Sequence, residues 1–189
     1  MSKTEEIVYF KENGIKNTDQ VLTIVKKRAE QLGIKSIVVA TTRGETGVKV
    51  AEKFRGYNVI TVTHSTGFSG SDIQELTPEN RARIINAGGE ILTTTHAFGG
   101  VGRAIRRKFE TYQSDEIIAH TLRIFGQGTK VAIEIALMAA DSGLINIQED
   151  IISIGGSGRG ADTALVISPS NVQNFFDVKV REVICKPRL

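Results

Sequence analysis

The stretch ISIGGSGRGADTALVI (residues 152–167) decides the fold. An apolar strand runs into Gly155, Gly156, Ser157, Gly158, Arg159 and Gly160, and Asp162 then leads into TALVI, a β-branched and aliphatic run. Dinucleotide-binding proteins also place a glycine cluster after a strand, but there the glycines open a helix. Here the next element reads as another strand, and no ribose-binding acid ends it. Two readings of the turn stay open. It is a tight connection that needs positive φ values, or its successive amides form an anion-binding concavity with Arg159 as a forked, charged donor.

Working outward, GTKVAIEIALMAADSGLI (residues 128–145) is apolar nearly all round and reads as a central packed helix ended by Gly143. Upstream, short β-branched runs alternate with helical ones, as in an α/β domain. Strands are expected at 7–10, 36–40, 58–63, 90–95, 150–155, 163–168 and 178–186. Helices are expected at 19–31 (capped by Asn17 or Thr18), 46–54, from Pro78 to about 88, 101–110 and 115–125, with a short helix or turn at 170–177.

The chain has 189 residues, enough for one domain with a sizeable core, and 1–189 is read as a single domain. A net charge of +3 suits an anionic ligand but is too weak to imply nucleic acid. One cysteine, Cys185, excludes an internal disulfide and a multi-cysteine zinc site. No apolar run is long enough to span a bilayer and no signal peptide is evident, so a cytoplasmic protein is expected. Neither a nucleic-acid nor a membrane partner is expected, and a homo-oligomer is left open.

In such sheets the strand-to-helix loops share one edge, and ligands bind where the strand order reverses. The loop of Thr41, Thr42, Arg43, Gly44, Glu45 and Thr46 opens a helix, whose free amides and dipole favour an anion. Its hydroxyls add donors, although hydroxyls are also ordinary at helix starts. Thr63, His64 and Phe68 follow one strand and His96 follows another. The histidines are candidates for proton transfer, hydrogen bonding or stacking, with a satisfied structural histidine as the alternative, and Phe68 for covering a planar ring, with core packing as its alternative. A zinc site would need a third ligand, and none is evident. Gln127, Gly128 and Lys130 should reach the same edge. Lys130 and Glu134, four apart, can pair where the helix meets solvent, or Lys130 can aim at a phosphate or ring carbonyl. RAIRRK (residues 103–108) reads as a solvated helix face.

TIVKKRAEQLGIKSIVVATTRGETGVKVAEKFRGYNVITVT (residues 23–63) resembles the opening of the pyruvate kinase C-terminal domain, and residues 128–167 resemble its close. Together they cover a little under half the chain. The whole, with NVQNFFD and the EVIC ending, is similar to free-standing proteins of this fold, of archaeal type and associated with flavin mononucleotide. The resemblance implies a three-layer α/β/α sandwich around a mixed sheet. With SIVVA as strand one, its core order would be 3-2-1-4-5, with strand five antiparallel. The 41–46 loop and the glycine turn would then face each other and hold the phosphate. His64, Phe68, His96, Gln127, Gly128 and Lys130 would border the flavin. A flavin-dependent oxidoreductase is one outcome; the alternative is a non-catalytic sensor of a sugar phosphate or nucleotide. A phosphotransferase ranks last, because no paired carboxylates suited to magnesium lie on the ligand edge. Pyruvate kinase activity is not implied, since that enzyme's other domains are missing. The N-terminal strand and an insertion between Gly67 and Phe125 depart from the pyruvate kinase pattern, and the insertion is expected to deepen the pocket.

Overall fold

Strand propensity and full burial coincide in the middle of the sheet. A computed structural model describes residues 4–188. Its strands are β1 (Val8–Phe10), β2 (Ser36–Ala40), β3 (Asn58–Val62), β4 (Glu90–Leu92), β5 (Ile151–Gly155), β6 (Thr163–Ser168) and β7 (Lys179–Pro187). They form one sheet in the order β1-β7-β6-β5-β2-β3-β4. β5, β2, β3 and β4 run parallel, and β6 is antiparallel to β5. The expected core order and the antiparallel fifth strand are therefore present. β7 and β1 extend the sheet beyond β6, with β1 parallel to β7.

Among the described residues, six α-helices accompany the strands: α1 (Thr18–Leu32), α2 (Glu45–Lys53), α3 (Pro78–Asn86), α4 (Val101–Phe109), α5 (Ser114–Arg123) and α6 (Gln127–Asp141). Because strand side chains alternate, β2 sends Ile37 and Val39 into one core and Val38 into the other. The first core is closed by Val21, Leu22 and Val25 of α1, Val48 and Ala51 of α2 and Ile84 of α3. The second is closed chiefly by Ala132, Ile133, Ala136 and Leu137 of α6. This is the three-layer α/β/α sandwich, with α6 the packed central helix that its composition predicts. Among the described residues no helix is long and apolar enough to cross a membrane.

Several boundaries differ from expectation for identifiable reasons. β4 stops at Leu92, where β3 also runs out of register partners. Beyond it the Thr63 and Thr93 hydroxyls bond each other at 2.7 Å, outside the ladder. Asn17 makes no side-chain cap for α1, and the Thr18 hydroxyl instead accepts the Ala161 amide at 3.0 Å, tying α1 to the glycine turn. α3 starts as predicted, with the Thr77 hydroxyl accepting the Asn80 amide at 3.2 Å and Pro78 in the first turn. Residues 170–177 form a 3-10 turn, Val172–Asp177. The segment between Gly67 and Phe125 holds α3, β4, α4 and α5.

Candidate functional site

The strand order reverses between β2 and β5, and a cavity of about 520 Å³ opens at their carboxyl ends. Thr41, Thr42, Glu45, Thr46, Thr63, His64, Phe68, His96, Gln127, Lys130, Gly156, Gly158, Arg159 and Gly160 all line it. The turns after β2 and β5, far apart in sequence, thus meet at one cavity.

The β2 turn is shaped by Gly44, whose φ of 110° suits glycine. A Cβ there would also overlap Asn80 and Leu76 of the neighbouring segment. The Thr41 hydroxyl turns back to accept the amides of Gly44 at 3.2 Å and Gly47 at 3.4 Å. The intervening amides of Glu45 and Thr46 find no acceptor among the described residues. Free donors at a helix N-terminus beside a cavity are what an anion requires.

The β5 turn is held from behind. Asp162 is fully buried and accepts the Gly14 amide at 2.8 Å, the Ser157 amide at 3.0 Å and the Thr163 hydroxyl at 2.7 Å. Its carboxylate is turned away from the cavity by these bonds, and Ser157 spends its amide on it. The turn backbone of Gly158, Arg159 and Gly160 is left at the cavity wall. Gly128 and Gly155 stand behind the wall, where α6 crosses β5. A Cβ on Gly155 would run into the Gly128 carbonyl, and one on Gly128 into Thr163. Gly44, Gly128, Gly155, Ser157 and Asp162 therefore shape the cavity without lining it.

Further along the same edge the wall becomes side chain. His64 Nδ1 and Glu75 Oε2 are 2.8 Å apart. The Phe68 ring lies 4.1 Å from the His64 ring and 4.9 Å from that of His96, stacked on the latter within 10°. Phe68 is thus an exposed loop residue and not a core one. Lys130 and Glu134 keep only 5% and 3% of their surface exposed, so the pair is buried and not at the solvent end of α6. Lys130 Nζ donates to Glu134 Oε2, and the Phe98 amide donates to Oε1 at 3.1 Å. Burial lowers the Lys130 pKa; the Glu134 carboxylate opposes that shift. Burial pushes His96 down to about 4, so its ring is neutral at pH 7. Its Nδ1 stands 3.9 Å from Glu134, and its Nε2 is buried without a partner.

The cavity also gathers Glu75, Arg103, Arg123, Glu134 and Met138, which sequence reasoning did not place there. Arg103 leaves the presumed solvated face and lies over Phe68, its guanidinium 5.0 Å from the ring centroid. Its position in the first turn of α4, after two glycines, is the one local signal that separated it from Arg106, Arg107 and Lys108.

These features define an α/β sheet with a cavity at its switch point, walled by the turns after β2 and β5. The chain belongs to the family of the pyruvate kinase alpha/beta domain, which matches residues 19–167. It is similar to two solved structures of pyruvate kinase from Cryptosporidium parvum, one of them in complex with ADP. Each is 15% identical over 79% of this chain and 22% of the enzyme, with TM-scores of 0.39 and 0.38. It is also similar to O-ureido-L-serine synthase, at 18% identity over 66% of this chain and 48% of the other, with a TM-score of 0.31. The chain spans less than half the length of each of these proteins.

Proposed function

We propose that this protein is a cytoplasmic, flavin mononucleotide-binding relative of the pyruvate kinase alpha/beta domain. One observation carries the reading: a single cavity joins a cradle of free amides to a stacked aromatic surface. The amides of Glu45 and Thr46, the Thr42 hydroxyl, the turn at Gly158 and Gly160 and the Arg159 guanidinium would hold the phosphate. The stacked Phe68 and His96 would border a planar ring, and Lys130 and the His96 Nε2 would meet its polar edge. A cavity of about 520 Å³ is within the range for a ligand of this size. The flavin, once bound, supplies redox chemistry; this chain binds it, orients it and excludes water. His64, fixed by Glu75, is the residue suited to exchange a proton with a substrate.

The test is titration of the purified protein with flavin mononucleotide and with riboflavin, followed by quenching of flavin fluorescence. The phosphate should strengthen binding by about tenfold or more, the worth of one charge-assisted hydrogen bond. Arg159→Gln should remove most of that difference. Equal affinity for the two flavins would refute the phosphate assignment. Failure to bind either, with a sugar phosphate raising the melting temperature, would favour the sensor reading instead.

A further inference from the structure

The cavity has a second cationic end. Arg103 comes from the first turn of α4, Arg123 is the last residue of α5, and Lys130 lies in the first turn of α6. All three line the cavity. They are close enough to act on one another: both guanidinium charges disfavour protonated Lys130, and Arg103 disfavours a charged His96. Bringing like charges together is unfavourable unless something of opposite sign joins them.

The protein's own residues do not provide enough of it. Two carboxylates stand against the three cations: Lys130 and the Phe98 amide already occupy both oxygens of Glu134, and Glu75 is engaged by His64 at 2.8 Å. Arg123 donates to a neutral acceptor, Gln127 Oε1, at 2.7 Å. Arg103 rests on the face of Phe68. No carboxylate pairs with either among the described residues, whereas Arg106, one turn further along α4, is bridged to Glu116 at 2.7 Å. Of the α4 cations only Arg106 is bridged, and of those without a carboxylate only Arg103 lines the cavity. Beside these cations, the buried His96 Nε2 also lacks a partner. Val131, Ile135 and Met138 of α6 line the same cavity and offer apolar contact to an organic body.

Arg103 and His96 reach the cavity from another strand end than the amide cradle. The cradle lies over β5 and β2, while His96 and Arg103 follow β4, the far edge strand. Between β2, which leads into the Glu45 and Thr46 amides, and β4 lie two strand spacings, about 10 Å.

We propose that the Arg103–Arg123 end is a second anion subsite, which takes the carboxylate of a small organic acid. Two guanidinium forks match the two oxygens of a carboxylate. The subsite rests on the same cavity as the flavin reading but does not require flavin in it.

The experiment uses butyrate as the probe, butyramide as its uncharged isostere and inorganic phosphate as the competing anion. Binding is measured by calorimetry at fixed ionic strength, on protein with and without added flavin mononucleotide. Butyrate should bind at least about tenfold more tightly than butyramide. Arg103→Gln with Arg123→Gln should abolish that preference and leave phosphate affinity unchanged. Arg159→Gln should do the reverse. Arg103→Lys, which keeps the charge and loses the fork, should retain part of the preference even if the double variant folds poorly. Indifference of butyrate to all these Arg103 and Arg123 changes, or equal binding of butyrate and butyramide, overturns the proposal. Flavin uptake is read separately by absorbance, so its absence would leave this titration interpretable.

Discussion

At the β2–β5 end the cavity wall is made by two turns, with glycines where the chain turns sharply, held in shape by Thr41 and Asp162. At the β4 end it is side chain, with charges and rings delivered by the 64–76 loop and by α4, α5 and α6. The first end holds its shape through short hydrogen bonds between near neighbours in the fold. The second depends on buried ions whose desolvation must be offset by mutual contact. The two should therefore fail differently.

The largest difference is expected at Lys130. Lys130→Met leaves the Glu134 carboxylate buried against His96 and the Phe98 amide without its cation. That should lower unfolding free energy in urea by about 3–5 kcal/mol. Adding Glu134→Gln removes the stranded charge and should recover a substantial part of the loss. If the double variant is as unstable as the single, packing and not charge holds this end.

His96 sets a pH dependence at the same end. Its folded pKa, pushed from 6.5 to about 4, lies below the unfolded value, so the unfolded chain binds the proton first as pH falls. The stability it contributes is complete above pH 6.5 and is lost as pH drops toward 4, by about 3 kcal/mol at the limit. The difference in urea stability between pH 7 and pH 4.5 should be smaller in His96→Gln than in the wild type. An identical slope in both proteins would mean that the ring is not held neutral.

The contrast also explains what the sequence could reveal. The strands and the two turns were legible, because β-branched runs, capping hydroxyls and glycines carry local signals, whereas the strand order came from the family resemblance. The glycine turn faces a strand, and its own residues Ser157 and Asp162 supply the bonds that shape it. The ring end was only half legible. His64 and His96 stand out as polar residues at strand ends, but nothing local distinguishes a buried Lys130–Glu134 pair from an exposed one at the same spacing. Arg103 looked like its neighbours in RAIRRK, since its environment is made by Phe68, thirty-five positions away. Long-range packing decides those cases, and a single sequence does not encode it in any short window.

At the β2–β5 end, Gly155→Ala tests the crossing of α6 over β5. The added methyl would meet the Gly128 carbonyl, which cannot rotate away, so helix and strand must separate. A loss of about 1–3 kcal/mol is expected. Flavin mononucleotide affinity should fall with it, since the cradle turn begins at the next residue. Full stability in this variant would show that the helix has room to shift.

The finest comparison is between two adjacent hydroxyls. Thr41 is buried and spends its oxygen on the Gly44 and Gly47 amides, so it caps the start of α2. Thr41→Val should destabilise the protein by about 1 kcal/mol, the usual worth of such a cap. Thr42 is half-buried, lines the cavity and makes no such bond. Thr42→Val should leave urea stability within about 0.5 kcal/mol. It should weaken flavin mononucleotide several-fold while sparing riboflavin, because only the phosphate would meet that hydroxyl. If Thr42→Val weakens both flavins alike, the hydroxyl faces the ring portion of the ligand, and the phosphate must be sought nearer Arg159.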